Sequence, residues 1–140
     1  MSREDDIASK LISTEDHALL LPMIQRIADE PRRSPALPER LLSAVREART
    51  MPRHLLKTDV VTLGSFVVYE DDVTTSRASG ILTARCDDWS EGKQIPVLTA
   101  FGLQLLGSRE GDRVVWQTTL GGWRGVTILR VAKCVFATTR

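Results

Sequence analysis

Two cysteines in 140 residues, Cys86 and Cys134, make neither a disulfide framework nor a zinc pattern. Each lies in an apolar, strand-like run, so both read as buried free thiols of a protein from a reducing cytoplasm. Aromatic residues are scarce at 5%, and Trp89, Trp116 and Trp123 follow no motif for stacking on bases. They suit a core or a sheet surface. The two histidines, His17 and His54, have no serine, cysteine or carboxylate pattern around them that would make a nucleophile or a metal site. No apolar run reaches the ~18 residues of a membrane span, which excludes a helical membrane protein. A net charge of +1 argues against a chain built around nucleic-acid electrostatics. With no catalytic constellation, no metal set and no cofactor motif, the residues describe a binding module.

What is present is an ordinary globular composition, 42% hydrophobic and 26% charged, enough for one domain and a small appendage. The opening "MSREDDIASK" is too charged for a signal peptide and reads as a frayed tail. Charge is uneven along the chain: residues 26–57 carry eight basic and four acidic side chains, while 58–140 carry nine of each. The arginines of the basic segment, Arg26, Arg32, Arg33, Arg40, Arg46, Arg49 and Arg53, suit phosphate, an acidic protein surface, or simply a solvated helical face, which their spacing favours. Acidic pairs at Asp5-Asp6, Asp29-Glu30, Asp71-Asp72 and Asp87-Asp88 could hold a hard cation but more often are solvated loop charges.

Ser13 and Asp16 stand at capping-box spacing, and His17, Leu20, Ile24 and Ile27 recur at helical period, which predicts a helix over 14–28. Pro22 inside it should kink the helix or mark a fresh start. Pro31, Pro35 and Pro38 then form a connection, and Leu37, Leu41, Ala44, Val45 and Ala48 predict a second helix over 36–49. The two would make an antiparallel hairpin with arms of roughly 22 Å. A linker over 51–58 follows. Beyond it, "DVVTLGSFVVYE", "RASGILTARC", Ile95–Leu98 and two later runs read as strands, with one short helix over 99–106. This is an α+β pattern dominated by an antiparallel sheet.

Five of the nine glycines fall between Leu105 and Gly125, which raises the possibility of a phosphate loop. A phosphate loop would open onto a helix. Here Gly121-Gly122 is followed by β-branched "VTILRV", so the pair reads as a tight hairpin turn, Gly111-Asp112 as another turn, and Gly107 as a helix terminator.

The Asp59-Val60-Val61-Thr62 entry, the small-residue helix start before Leu105-Leu106-Gly107, the Gly111-Asp112 turn and the Gly121-Gly122 hairpin occur in one order and spacing. In that series the chain resembles the C-terminal domain of the bacterial GreA/GreB transcription elongation factors, and more closely the related regulator of nucleoside diphosphate kinase (Rnk) family. The resemblance implies a short helical hairpin with its tail and linker over 1–57, on a domain of FKBP-like fold over 58–140. It further implies a non-enzymatic, monomeric cytoplasmic regulator that binds RNA polymerase near its secondary channel and competes with Gre factors, meeting nucleic acid only through the polymerase and no membrane. The family's contact loop, usually Ser-Pro, maps to Thr99 and Ala100, flanked by Leu98 and Phe101; the departure leaves threonine to cap the helix and removes proline's fixed φ. Gre factors carry two catalytic carboxylates at the tip of a long coiled coil. Asp29 and Glu30 hold the matching place, beside Arg32 and Arg33, on an arm too short to deliver them, so no cleavage is expected. The alternatives are an FKBP-like prolyl isomerase or peptide-binding module, for which the seven aromatics give no sign of converging, and a weak nucleic-acid binder through the arginine-rich hairpin.

Overall fold

The computed structural model describes residues 11–29, 39–84, 94–118 and 120–133. Strand β1 (Leu11–Ser13) runs directly into helix α1 (Thr14–Asp29), followed by α2 (Glu39–Arg46), β2 (Arg49–Met51) and a single 3-10 turn (Arg53–Leu55). Then come β3 (Ser65–Asp71), β4 (Arg77–Thr83), β5 (Gln94–Pro96), α3 (Ala100–Leu105), β6 (Arg113–Gln117) and β7 (Trp123–Lys133). The five later strands form one sheet in the order β5-β4-β3-β7-β6, antiparallel except for the β4–β5 pair. The architecture is α+β with an antiparallel-rich sheet.

Ser13 caps α1: the Asp16 amide donates to its hydroxyl at 2.9 Å in a buried setting. Leu20 and Ile24 of the expected stripe are fully buried, with Ile27 half-buried beside them. Contrary to a fresh start at Pro22, α1 is one element of 16 residues. Proline withholds one amide donor, and the buried stripe on either side holds the helix together across it. The second helix is shorter than its periodicity suggests. It ends at Arg46 because Arg49–Met51 leaves to pair in parallel with Leu11–Ser13, Ile12 opposite Thr50. The linker expected over 51–58 therefore begins as strand and continues as the 3-10 turn. In α2, Leu42 and Val45 are buried; Leu42 lies outside the stripe read from sequence. His17 bonds the Arg46 carbonyl through Nε2 at 3.0 Å, joining the start of α1 to the end of α2. Residues 30–38, and with them Glu30, Arg32, Arg33 and the connection between the helices, lie outside the described residues, as do Cys86, Cys134, Trp89, Asp87 and Asp88.

Two departures in the sheet have local causes. Strict alternation in β7 fails because the β3–β7 register shifts between Val68 and Tyr69, so that Val68 faces Arg130 but Tyr69 faces Ile128. The extra residue, Leu129, is a bulge, and it allows Val126, Ile128 and Val131 all to be buried. The β6–β7 turn is also longer than a two-residue hairpin: β6 stops at Gln117, and Thr118 N–H closes a five-residue loop on the Gly122 carbonyl at 2.7 Å. Gly121 sits there at φ +92°, a conformation glycine adopts without strain. One continuous buried cluster runs from Ile12, Leu20, Ile24 and Leu42 through Val67, Leu82 and Leu105 to Val114, Ile128 and Val131. The helices at the N-terminal side and the sheet thus share a core.

Candidate docking site

Leu98, Thr99, Ala100 and Phe101 occupy the turn from β5 into α3, and all four are half-buried. Thr99 holds extended backbone (φ −135°, ψ 165°) and its hydroxyl does two things. It donates to the Pro96 carbonyl at 2.8 Å and accepts from the Gly102 amide at 2.9 Å. Both hydrogen-bonding capacities face inward. The neighbouring Gly102 explains the close approach: a Cβ there would lie 2.2 Å from the Pro96 carbonyl oxygen and 2.7 Å from the Val97 Cα. Helix α3 is thereby pressed against the end of β5, and Gly107, at φ +83°, lets the chain turn away after Leu106.

Phe101 leans onto the sheet. Its ring stacks on Trp116 of β6 (centroids 4.3 Å, 26° between planes) and meets Tyr69 of β3 edge-on (5.3 Å, 70°). Arg124 covers Trp116, its guanidinium carbon 5.4 Å from the ring centroid. Three of the seven aromatics that gave no sign of converging in sequence do converge, because β3, β6 and α3 come together only through long-range pairing. Burial is the larger influence on Tyr69, raising its phenol above the ordinary value against the opposing pull of Arg124. The resulting surface has half-exposed rings at its centre and paired charges at its rim.

Those rim charges settle the role of Asp71 and Asp72. Asp71 accepts from the Val73 and Thr74 amides at 2.8 and 2.9 Å and from Arg124 at 2.9 Å. Asp72 takes Arg113 and the Thr127 hydroxyl, the latter at 3.0 Å. The Asp71 carboxylate organises the β3–β4 turn and that of Asp72 ties it to β6 and β7, and among the described residues no cluster of three metal-ligating side chains occurs. The Thr74 amide, then Arg124, then the Val73 amide pull the Asp71 carboxyl down from 3.8 to about 2. Its folded-state value lies below the unfolded one, so its stabilisation is complete above about pH 4 and is lost as pH falls through 3.8 toward 2. In Asp71→Asn, urea midpoints measured from pH 5 to pH 2 should fall less steeply over that window than in the parent protein. An unchanged slope would show that Asp71 carries none of the acid sensitivity.

The Asp59–Thr62 entry is built in as structure. Val60, Val61 and Thr62 are buried, Val61 exchanges backbone hydrogen bonds with Ser108 and Gly107 at 2.8 and 3.0 Å, and Asp59 pairs with Arg109 at 3.4 Å. Lys133 donates to the Val60 carbonyl and the Thr62 hydroxyl, both at 3.1 Å. Burial first, then the charge of Arg53, pulls its ammonium below the ordinary lysine value. A further contact escaped the sequence reading. Asp16, read only as a capping residue, is 1% exposed, accepts from the Leu63 amide at 2.9 Å and pairs with Arg53. Arg53 is thus bound to a carboxylate rather than presented to phosphate. At the far end of α1, exposed Asp29 accepts from Gln25 at 3.1 Å, within one helical turn. The structure keeps Asp29 and the Leu98–Phe101 turn on different elements.

An antiparallel-rich sheet with one short helix pressed on its end and a half-exposed aromatic surface, preceded by two helices, defines an α+β protein. Residues 56–133 match the family model for the C-terminal domain of the transcription elongation factors GreA/GreB. The chain belongs to that family. Among solved structures it is similar to the prokaryotic transcription elongation factor GreA/GreB from Nitrosomonas europaea, with 25% identity and a TM-score of 0.68 over 89% of this chain and 99% of that one. Lower similarity extends to the GreA factor homolog 1 (Gfh1) protein of Thermus thermophilus (18% identity, TM-score 0.45, 88% and 98% of the two chains) and to Gfh1 of Thermus aquaticus (17%, 0.46, 89% and 98%). No curated protein matches the sequence. No helix among the described residues is long and apolar enough to cross a membrane.

Proposed function

We propose that the chain is a non-enzymatic regulator of the Rnk type, an FKBP-like domain bearing a short helical hairpin, which docks on RNA polymerase near the secondary channel and competes with Gre factors without stimulating transcript cleavage. The observation that carries this reading is the arm. Helix α1 has 16 residues and α2 has eight, so they are roughly 24 Å and 12 Å long at the α-helical rise, and Leu20, Ile24, Leu42 and Val45 bury part of that length in the shared core. Cleavage by the Gre route needs carboxylates delivered to a metal deep within the enzyme, where they hold it to activate water. An arm of this length fills a channel mouth. The expected docking surface is the Leu98–Phe101 turn with the aromatic rings beside it. Polymerase core should retain the purified protein at micromolar concentration and lose it to excess Gre factor, with no cleavage of a backtracked transcript. Absence of retention would remove the reading; cleavage that depends on Asp29 and Glu30 would make the protein a short-armed Gre-type factor instead. Replacing Asp29 and Glu30 by alanine should leave retention within a few-fold.

The convergence of Tyr69, Phe101 and Trp116 favours a second reading, a peptide-binding module. Phe101 and Trp116 stack on each other, so a proline or aromatic side chain would have to lie across them rather than between them. Turnover of a prolyl peptide in an isomerisation assay would establish the enzymatic version.

A further inference from the structure

Among the described residues, the packing of α1 on the domain leaves one buried ionisable group to which the docking site assigns no task. Asp16 sits in the first turn of α1 and is 1% exposed. Its two oxygens reach two different parts of the chain: Oδ2 accepts the Leu63 amide at 2.9 Å, at the entrance to the sheet, while Oδ1 pairs with Arg53 of the 3-10 turn. The adjacent Glu15 accepts the Arg53 amide at 2.9 Å, so the 3-10 turn is tied to α1 by backbone as well as side chain. The cap at Ser13 completes the group, its hydroxyl receiving the Asp16 amide. The domain side is equally fixed. Thr62, next to Leu63, bonds Ser65 through both its amide and hydroxyl at 2.9 and 3.1 Å, and receives Lys133 from the end of β7.

Leu20 and Ile24 also bury α1 against the shared core, but apolar burial is non-directional and tolerates small rotations and slides of a helix. Hydrogen bonds to two separate points on one carboxylate do not. Thirteen residues separate Asp16 from Asp29, about 20 Å of helix, so a swing of about 10° at Asp16 would move the far end by about 3 Å. From this geometry we infer that Asp16 is a positioning residue: its carboxylate sets the direction in which α1 leaves the domain, while the apolar stripe supplies adhesion. The inference concerns the free protein and holds whether or not polymerase is the partner.

The test is a distance measurement between spin labels in the full chain, one on α1 and one on the β3–β4 turn. Gln25→Cys and Val73→Cys place labels at exposed positions, in a background of Cys86→Ser and Cys134→Ser. The parent should give a narrow distribution. Asp16→Ala and Arg53→Ala should each at least double its width or displace its centre by several ångström, and Asp16→Asn, which keeps an acceptor for Leu63, should fall between. As a control, Leu20→Ala should lower the melting temperature yet keep the narrow distribution at temperatures where the protein is folded. If Asp16→Ala abolishes cooperative melting, Arg53→Ala decides, since that side chain is 43% exposed and its loss leaves the core filled. Unchanged distributions in Asp16→Ala and Arg53→Ala would overturn the inference, as would broadening in Leu20→Ala equal to that in Asp16→Ala.

Discussion

Alanine at Gly102 should be among the most damaging single-methyl additions in the chain. The added Cβ would be 2.2 Å from a carbonyl oxygen and within 2.8 Å of two further backbone atoms, all on the Pro96–Val97 segment. Backbone cannot rotate out of the way as a long side chain does, so either α3 lifts from β5 or β5 is pulled from β4. Lifting α3 would break the Thr99 cap, which depends on the Gly102 amide at 2.9 Å, and disturb Leu103, Leu105 and Leu106, all buried. Overpacking usually costs 1–3 kcal/mol; with backbone on the receiving side and a cap at stake, about 3 kcal/mol is expected, or roughly 10 °C in melting temperature for a chain of this size. Differential scanning calorimetry checks it. A shift below about 2 °C would mean that the β5–α3 junction yields easily.

The second large effect is expected from Phe101→Glu. Both ring partners are lost, each pair contributing about 0.5–1.5 kcal/mol beyond burial, and a carboxylate replaces apolar surface packed against the core. Together about 3–4 kcal/mol should disappear. Phe101→Leu, which keeps apolar volume, should lose only about 1 kcal/mol. Urea midpoints and retention on polymerase core, measured together, separate two roles. If stability and retention fall in parallel across the two variants, Phe101 supports the docking surface from beneath. Should Phe101→Leu retain its midpoint yet lose retention tenfold, the ring itself touches the partner.

Much of the fold was legible because its signals are local. The cap at Ser13, the stripe of Leu20 and Ile24, the Thr99 start of α3 and the helix terminator at Gly107 each depend on residues within four positions. What the sequence reading missed was long-range. The β1–β2 pair joins segments too short and too polar to show strand periodicity, and exists because α1 and α2 return the chain to its starting point. The bulge at Leu129 follows from register with β3, and the two-residue turn expected at Gly121-Gly122 became a five-residue loop because β6 stops at Gln117. At the candidate site, the Thr99 hydroxyl was legible as the cap of α3, but its donation to the Pro96 carbonyl and the Tyr69–Phe101–Trp116 group were not. Asp16 was visible only as a cap, since nothing near it in sequence announces Leu63 or Arg53.

Parallel pairing of Leu11–Ser13 with Arg49–Met51 clips together the two ends of everything between them. The entropy of closing such a loop grows only logarithmically with its length, by about 0.6 kcal/mol for each doubling. Added length between Asp29 and Glu39 would therefore cost the clip little, whereas Leu20, Ile24, Leu42 and Val45, which also lie between the clipped ends, belong to the core shared with the sheet. Adding one helical turn to the end of α1 and one to the start of α2 would lengthen each by about 5 Å without touching the β1–β2 pair. Length between the two clipped ends is thus a quantity to which the pairing of Leu11–Ser13 with Arg49–Met51 is nearly indifferent, and it can change without rebuilding the sheet.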